Sequence, residues 1–277
     1  MELSVVIFGL ISAAFWGAGD FSGGVATKKH EVLSVATIAQ IIGLLILSLV
    51  ALTLGENTPS IENIMWGAAA GISGGIGILA LYHALSIEKM GVVAPVTAVS
   101  SALVPVVFGM MSEGIPASIQ ILGFFFALIG VWLISREDSD SAIHLSRLKL
   151  PLIAGFGFGF FMILIDQLNG TGILWPLVGA RVASISMFLL AGVYKGGMQM
   201  PEMKHLPLII LAGICDSGGN VFYTLAAQAG RIDIAAVLSS LYPAATVLLA
   251  WIFLRERLTY RQWIGIISAM LAVVLIS

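Results

Sequence analysis

Apolar residues gather in long blocks along this chain, and polar residues fall in the short connectors between them. A helix that spans a bilayer needs about 20 mostly apolar residues. Ten segments meet that need: Leu3–Ala26, Val32–Leu54, Ile64–Leu85, Gly91–Met111, Ser118–Ser135, Leu150–Leu168, Ile173–Tyr194, Leu206–Gln228, Ile232–Leu254 and Tyr260–Ile276. The connectors, among them TKKHE, GENTPSIEN, SEGIP, KGGMQMPEMKH and RERLTYR, hold nearly all the charge. The pattern predicts an all-α polytopic membrane protein.

The longest polar stretch, Arg136 to Lys149, falls near the middle of the chain with five segments on each side. The halves are similar. YHALSIEKMG from Tyr82 faces YTLAAQAGRI from Tyr223 at an offset of 141, and QILGFFFALIGVWLIS from Gln120 faces QWIGIISAMLAVVLIS from Gln262 at 142. Glu113 stands opposite Glu256, and FWGAG from Phe15 opposite GFGFF from Gly157. Two repeats, 1–139 and 140–277, are the expected organisation. Equal copies with an odd number of spans must cross the membrane in opposite senses. That predicts ten transmembrane helices as two inverted five-helix repeats around a central cavity, an architecture common among secondary transporters.

Composition closes off other classes. The chain has 277 residues, 59% hydrophobic and 10% charged, with a mean hydropathy of +1.04. Soluble domains run at about 45–50% apolar and about 25% charged, so a soluble fold is excluded. A net charge of −2 gives no basic field for nucleic acid. The single cysteine, Cys215, allows no intrachain disulfide and argues against a metal cluster. Met1-Glu2-Leu3 lacks the positive start of a signal peptide, so the first block is expected to be a retained helix. No phosphate loop, HExxH or nucleophile–base set occurs, so neither ATP drive nor catalysis is expected, and no cofactor. Basic residues in cytoplasmic loops set orientation. The odd-numbered connectors carry eleven Lys and Arg and the even-numbered ones only Arg231. That places both termini outside the cytoplasmic membrane.

Ionisable groups at membrane depth are costly, roughly 2.5–3.5 kcal/mol on insertion scales, and usually face a bundle interior or a watery cavity. Asp216 lies midway along the eighth segment in CDSGGN, with Asn220 and Tyr223 on a similar side of the helix. It lines a cavity or bonds a neighbouring helix. Asp20, in WGAGDFSGG, meets a substrate amine, Arg181, or a snorkelling Lys28 or Lys29, or is held protonated. Arg181 binds a substrate carboxylate or pairs with Asp216 or Asp166. Gln40, its repeat mate at an offset of 141, suggests that both helices face the centre. Trp16, Tyr82 and Tyr223 can stack on a solute, and His83 is a possible proton carrier. The candidate substrate-binding set is therefore Trp16, Asp20, Gln40, Tyr82, Arg181, Asp216, Asn220 and Tyr223. Trp66, Trp175 and Trp263 read as interface anchors, and Pro95, Pro105 and Pro243 as hinges. Thr259-Tyr-Arg-Gln262 fits a capping box.

Trp16-Gly17 and the run LSSLYPAATVLLAWIFLRERLTYRQWIGIISAMLAVVLIS (Leu238–Ser277) resemble the EamA-type members of the drug/metabolite transporter superfamily. The resemblance covers almost the whole chain. It implies ten helices paired by pseudo-two-fold symmetry around a cavity. One departure stands out: members commonly have a cytoplasmic N-terminus and basic loops after helices 2 and 6, and those loops lack Lys and Arg here. The expected function is a secondary transporter of a small metabolite, amino acid or drug-like solute, with protons as a candidate coupling ion. A non-transporting membrane scaffold and a channel are the alternatives. Oligomeric state is not readable from the sequence.

Overall fold

The computed structural model describes residues 3–57, 59–88, 90–134, 148–167, 172–254 and 259–276, and these contain no strand. The α-helices in chain order are α1 (Leu3–Thr27), α2 (Val32–Leu54), α3 (Ile61–Ile87), α4 (Met90–Ser112), α5 (Ser118–Ile134), α6 (Lys149–Asp166), α7 (Leu174–Tyr194), α8 (Leu206–Ala229), α9 (Ile232–Ser239), α10 (Tyr242–Leu254) and α11 (Tyr260–Ile276). A short 3-10 turn, Met203–His205, precedes α8. In a bilayer every backbone polar group must be satisfied within the protein, and a long apolar block does so as a helix. The expected segments reappear with their ends displaced by a few residues.

The ninth segment is the exception. Expected as one span from Ile232 to Leu254, it breaks between α9 and α10. Pro243 supplies the reason: it has no N–H to donate to the carbonyl four residues back, and its ring crowds that carbonyl. Two turn-type bonds, Leu241 N–H to the Leu238 carbonyl and Ala244 N–H to the Leu241 carbonyl, carry the chain across the break. The expected turn RERL, 255–258, lies outside the described residues. The capping box beside it forms: the Thr259 amide donates to Gln262 Oε1 at 2.8 Å, and the Gln262 amide to Thr259 Oγ1 at 3.3 Å.

Among the described residues six helices, α1, α2, α3, α6, α7 and α8, are long and apolar enough to cross a membrane. Their outward faces stay apolar: Leu190, Val193 and Leu49 are 69%, 78% and 63% exposed. Large exposed apolar surface marks contact with another apolar phase. The protein is a multi-pass membrane protein.

Small residues let the inner helices approach closely, as in membrane bundles generally. Gly67 and Gly71 of α3 sit against the Pro176 and Ala180 carbonyls of α7, and Gly77 of α3 against Gly157 of α6. Gly213 of α8 meets the Ala39 carbonyl of α2. α1 packs along α8, where Ser12 Oγ donates to the Gly219 carbonyl at 2.9 Å. α5 and α11 pair with each other through Gly130, Gly265 and Ala269, away from the centre.

Candidate functional site

Between the inner helices lies a cavity with about 780 Å³ of space among its lining atoms, counting the part open to solvent. α1 contributes Trp16 and Asp20, α2 Gln40, and α3 a glycine strip with Ile78 and Tyr82. α6 supplies Phe158, Phe161 and Met162; α7 supplies Leu177, Arg181 and Ser184; α8 supplies Asp216 and Asn220. Ser101 of α4 and Tyr242 of α10 complete the wall. The wall is largely apolar and aromatic with a few convergent polar groups, as small-molecule sites usually are.

One side of the wall is a closed polar cluster. Arg181 Nη1 lies 2.6 Å from Asp216 Oδ2 and donates to Gln40 Oε1 at 2.5 Å. Its Nη2 donates to Ser217 Oγ at 3.3 Å. Gln40 Nε2 donates to the same Asp216 oxygen at 3.3 Å, and Ser184 Oγ donates to Gln40 Oε1 at 3.1 Å. Gly43 leaves the room between α2 and α8 that Ser217 and the guanidinium occupy. The Arg181 side chain is 6% exposed and that of Asp216 22%. The guanidinium is thus committed to three partners on α2 and α8, and the cluster binds α2, α7 and α8 together.

The aromatic side is built differently. Trp16 Nε1 donates to Asn220 Oδ1 at 3.0 Å, which fixes the indole. Tyr223 stacks behind Trp16 with ring centres 5.7 Å apart and donates to the Met162 carbonyl at 3.4 Å. Tyr82 packs over Gly23, in the space a larger side chain there would fill. Asp20 stands between Trp16 and Gly23 on α1. Among the described residues no hydrogen bond or ion pair reaches the Asp20 carboxylate, and none reaches the Tyr82 hydroxyl, although Tyr82 is 4% exposed.

Seven of the eight residues expected from sequence line the cavity: Trp16, Asp20, Gln40, Tyr82, Arg181, Asp216 and Asn220. Tyr223 does not; it is fully buried and supports Trp16. Arg181 pairs with Asp216, so Asp20 and Asp166 are not its partners. His83 is exposed and off the cavity wall. Among the described residues no group of three or more His, Cys, Asp and Glu is arranged to hold a metal.

Sequence reasoning passed over Ser184, a small polar residue with no cost signal, and the connector acids. Glu56 follows the left-handed turn at Gly55 (φ 64°) and reaches across to the start of α7. Its carboxylate accepts from the Ile173, Leu174 and Trp175 amides at 2.6, 2.9 and 2.9 Å, and its carbonyl from Trp175 Nε1 at 2.9 Å. At the other end of α2, Glu31 bonds Lys195 Nζ at 2.5 Å and the Gln199 amide at 2.8 Å. Those two bonds hold its carboxyl below the usual glutamate range, Lys195 contributing most. Beside it, His30 Nε2 and His205 Nδ1 are 2.9 Å apart. Arg231, the lone base of the even connectors, clasps buried Asp233 at 2.8 Å and the Gly114 carbonyl at 2.6 Å. The Asp233 bond raises the guanidinium above its ordinary value.

A model described as the EamA-like transporter family matches residues 3–136 and again 148–277. The glucose uptake protein GlcU of Bacillus subtilis (strain 168) is 24% identical over 287 aligned positions, 97% of this chain and 95% of that protein. An uncharacterized protein of Methanocaldococcus jannaschii is 28% identical over 138 positions, 50% of this chain and 97% of that protein. An uncharacterized transporter of Archaeoglobus fulgidus is 43% identical over 77 positions, 27% of this chain and 28% of that one. A crystal structure superposes with a TM-score of 0.82 over 99% of this chain and 96% of the other, at 12% identity, a likeness that speaks for the fold alone.

Proposed function

The chain belongs to the EamA-like transporter family, and from that premise we propose that it is a secondary transporter of a small solute across the cytoplasmic membrane. It works by alternating access between two inverted five-helix repeats, 1–139 and 140–277. The family model's two matches, one per half, support the two-repeat reading. So does the relative from Methanocaldococcus jannaschii, nearly all of which corresponds to half of this chain. The loop charges support termini outside the cell. Trp16, Asp20, Tyr82 and Asn220 contact the solute in this reading, while Gln40, Arg181 and Asp216 hold the helices around it.

The observation that carries the proposal is the cavity itself. It lies among α1, α2, α3, α6, α7 and α8, with polar groups from both halves on its wall. Solute counterflow in proteoliposomes tests it, with a panel of sugars, amino acids and organic amines. Exchange of one solute class by the wild type supports transport; a panel that is inert under every ion gradient sinks it. Proton coupling through Asp20 or Asp216 adds a requirement. The pH dependence of exchange must change in Asp20→Asn or Asp216→Asn.

A further inference from the structure

The charged groups on the cavity wall are not equivalent. Arg181 and Asp216 neutralise each other, and two further contacts of the guanidinium go to Gln40 and Ser217. An anionic solute would either displace Asp216 from the guanidinium and leave that carboxylate uncompensated, or lie beside it as a like charge in a poorly solvated site, and both are unfavourable. Asp20 has no such partner. Three features surround it: the indole of Trp16 one turn earlier, Tyr82 packed over Gly23 one turn later, and the Tyr242 ring on the same wall. The Tyr82 hydroxyl, buried without a hydrogen bond among the described residues, is the second unmatched polar group in the same place.

Buried polar groups are nearly always bonded, and each exception calls for an explanation. An unpaired carboxylate flanked by aromatic rings is complementary to an ammonium. The carboxylate supplies a charge-assisted bond, and the rings attract the cation through their faces. Building on the transporter reading, we infer that the solute is an organic cation, a small molecule carrying a protonated or quaternary amine. The amine rests against Asp20 and the hydroxyl of Tyr82, and the Trp16 indole walls it in.

Matched probes that differ in charge and little in shape test this. Phenethylamine is compared with 2-phenylethanol, and choline with 3,3-dimethylbutan-1-ol; glucose serves as the neutral polyol. Binding is read from the thermal unfolding of purified protein, since a ligand that binds only the folded state raises Tm. Exchange is read by counterflow in proteoliposomes. At least one amine is expected to bind about tenfold or more tightly than its alcohol, and Asp20→Asn to remove that preference. Discrimination by the wild type needs no variant, so a folding failure of Asp20→Asn does not spare the idea. Alcohols binding as well as amines would overturn it, as would a folded Asp20→Asn variant that keeps the preference. Exchange of glucose with no amine bound or moved overturns the cation assignment and leaves transport standing. Amine binding that needs Asp20, with no exchange of any solute, supports the cation site and removes the transport reading.

Discussion

At the residue scale, Arg181 and Asp20 make opposite predictions for stability. Arg181 is nearly buried and paired with Asp216, Gln40 and Ser217, so Arg181→Met leaves Asp216 uncompensated and Gln40 without its strongest donor. Breaking a buried pair from one side costs about 3–5 kcal/mol. A Tm loss of several degrees in detergent is expected, partly recovered in the double variant Arg181→Met, Asp216→Leu; a single variant as stable as the wild type would refute the cluster's structural role. Asp20→Asn removes no bond seen in the structure and takes an unpaired charge out of the helix bundle, so the variant is expected to unfold at the same temperature as the wild type or higher. The charged members of this site were legible in the sequence because an ionisable group inside an apolar block has a price that demands a reason. Their pairing was not. Asp20, Asp166 and Asp216 all offered Arg181 a carboxylate at plausible depth, and only the packing of α7 against α2 and α8 decides among them. Tyr223 shows the same limit: sharing a face with Asn220 did not say that Trp16 would come between it and the cavity.

At the element scale, helix positions follow from the apolar blocks, while helix ends and breaks depend on residues that look ordinary in a connector. Glu56 reads as a solvated loop acid, yet it satisfies three amides at the start of α7 and places a negative charge at the positive end of the helix dipole. Glu56→Ala should destabilise the protein by about 1–2 kcal/mol, with faster amide exchange at Leu174 and Trp175; unchanged exchange there would show that the cap is dispensable. Glu31 carries a pH dependence with a definite sign. Its carboxyl is held low in the folded state by Lys195 and the Gln199 amide. The stabilisation is therefore complete above the ordinary glutamate pKa, about 4.3, and is lost as the pH falls through the lowered folded value. Unfolding measured from pH 6 to pH 3 should show this acid loss in the wild type and less of it in Glu31→Gln. Equal slopes would remove Glu31 from the account. The broken ninth segment was half visible: Pro243 announced a weak point, but a continuous apolar run gave no sign that the chain would leave and restart its helix there.

At the scale of the molecule, α2 and α7 run antiparallel and are tied at three levels. Glu31 joins Lys195 where α2 starts and α7 ends, Gln40 joins Arg181 midway, and Glu56 caps the start of α7 just past the end of α2. At about 1.5 Å per residue the two end ties lie some 35 Å apart, enough to stand at opposite faces of a membrane. In the alternating-access cycle proposed above, one face opens while the other stays shut, and the ties would then not all persist through it. The face bearing Glu31 is held through the exposed Lys195 and the half-buried His30–His205 contact. The face bearing Glu56 is held by backbone amides less open to competition from water, so the first face is expected to yield more readily. A short bifunctional thiol reagent joining His30→Cys to His205→Cys, in a Cys215→Ala background, should pin it closed. Exchange in proteoliposomes should then fall by about tenfold or more and return when a cleavable linker is reduced. Full exchange in the cross-linked protein would mean that this face need not move, and the solute path would have to be sought elsewhere.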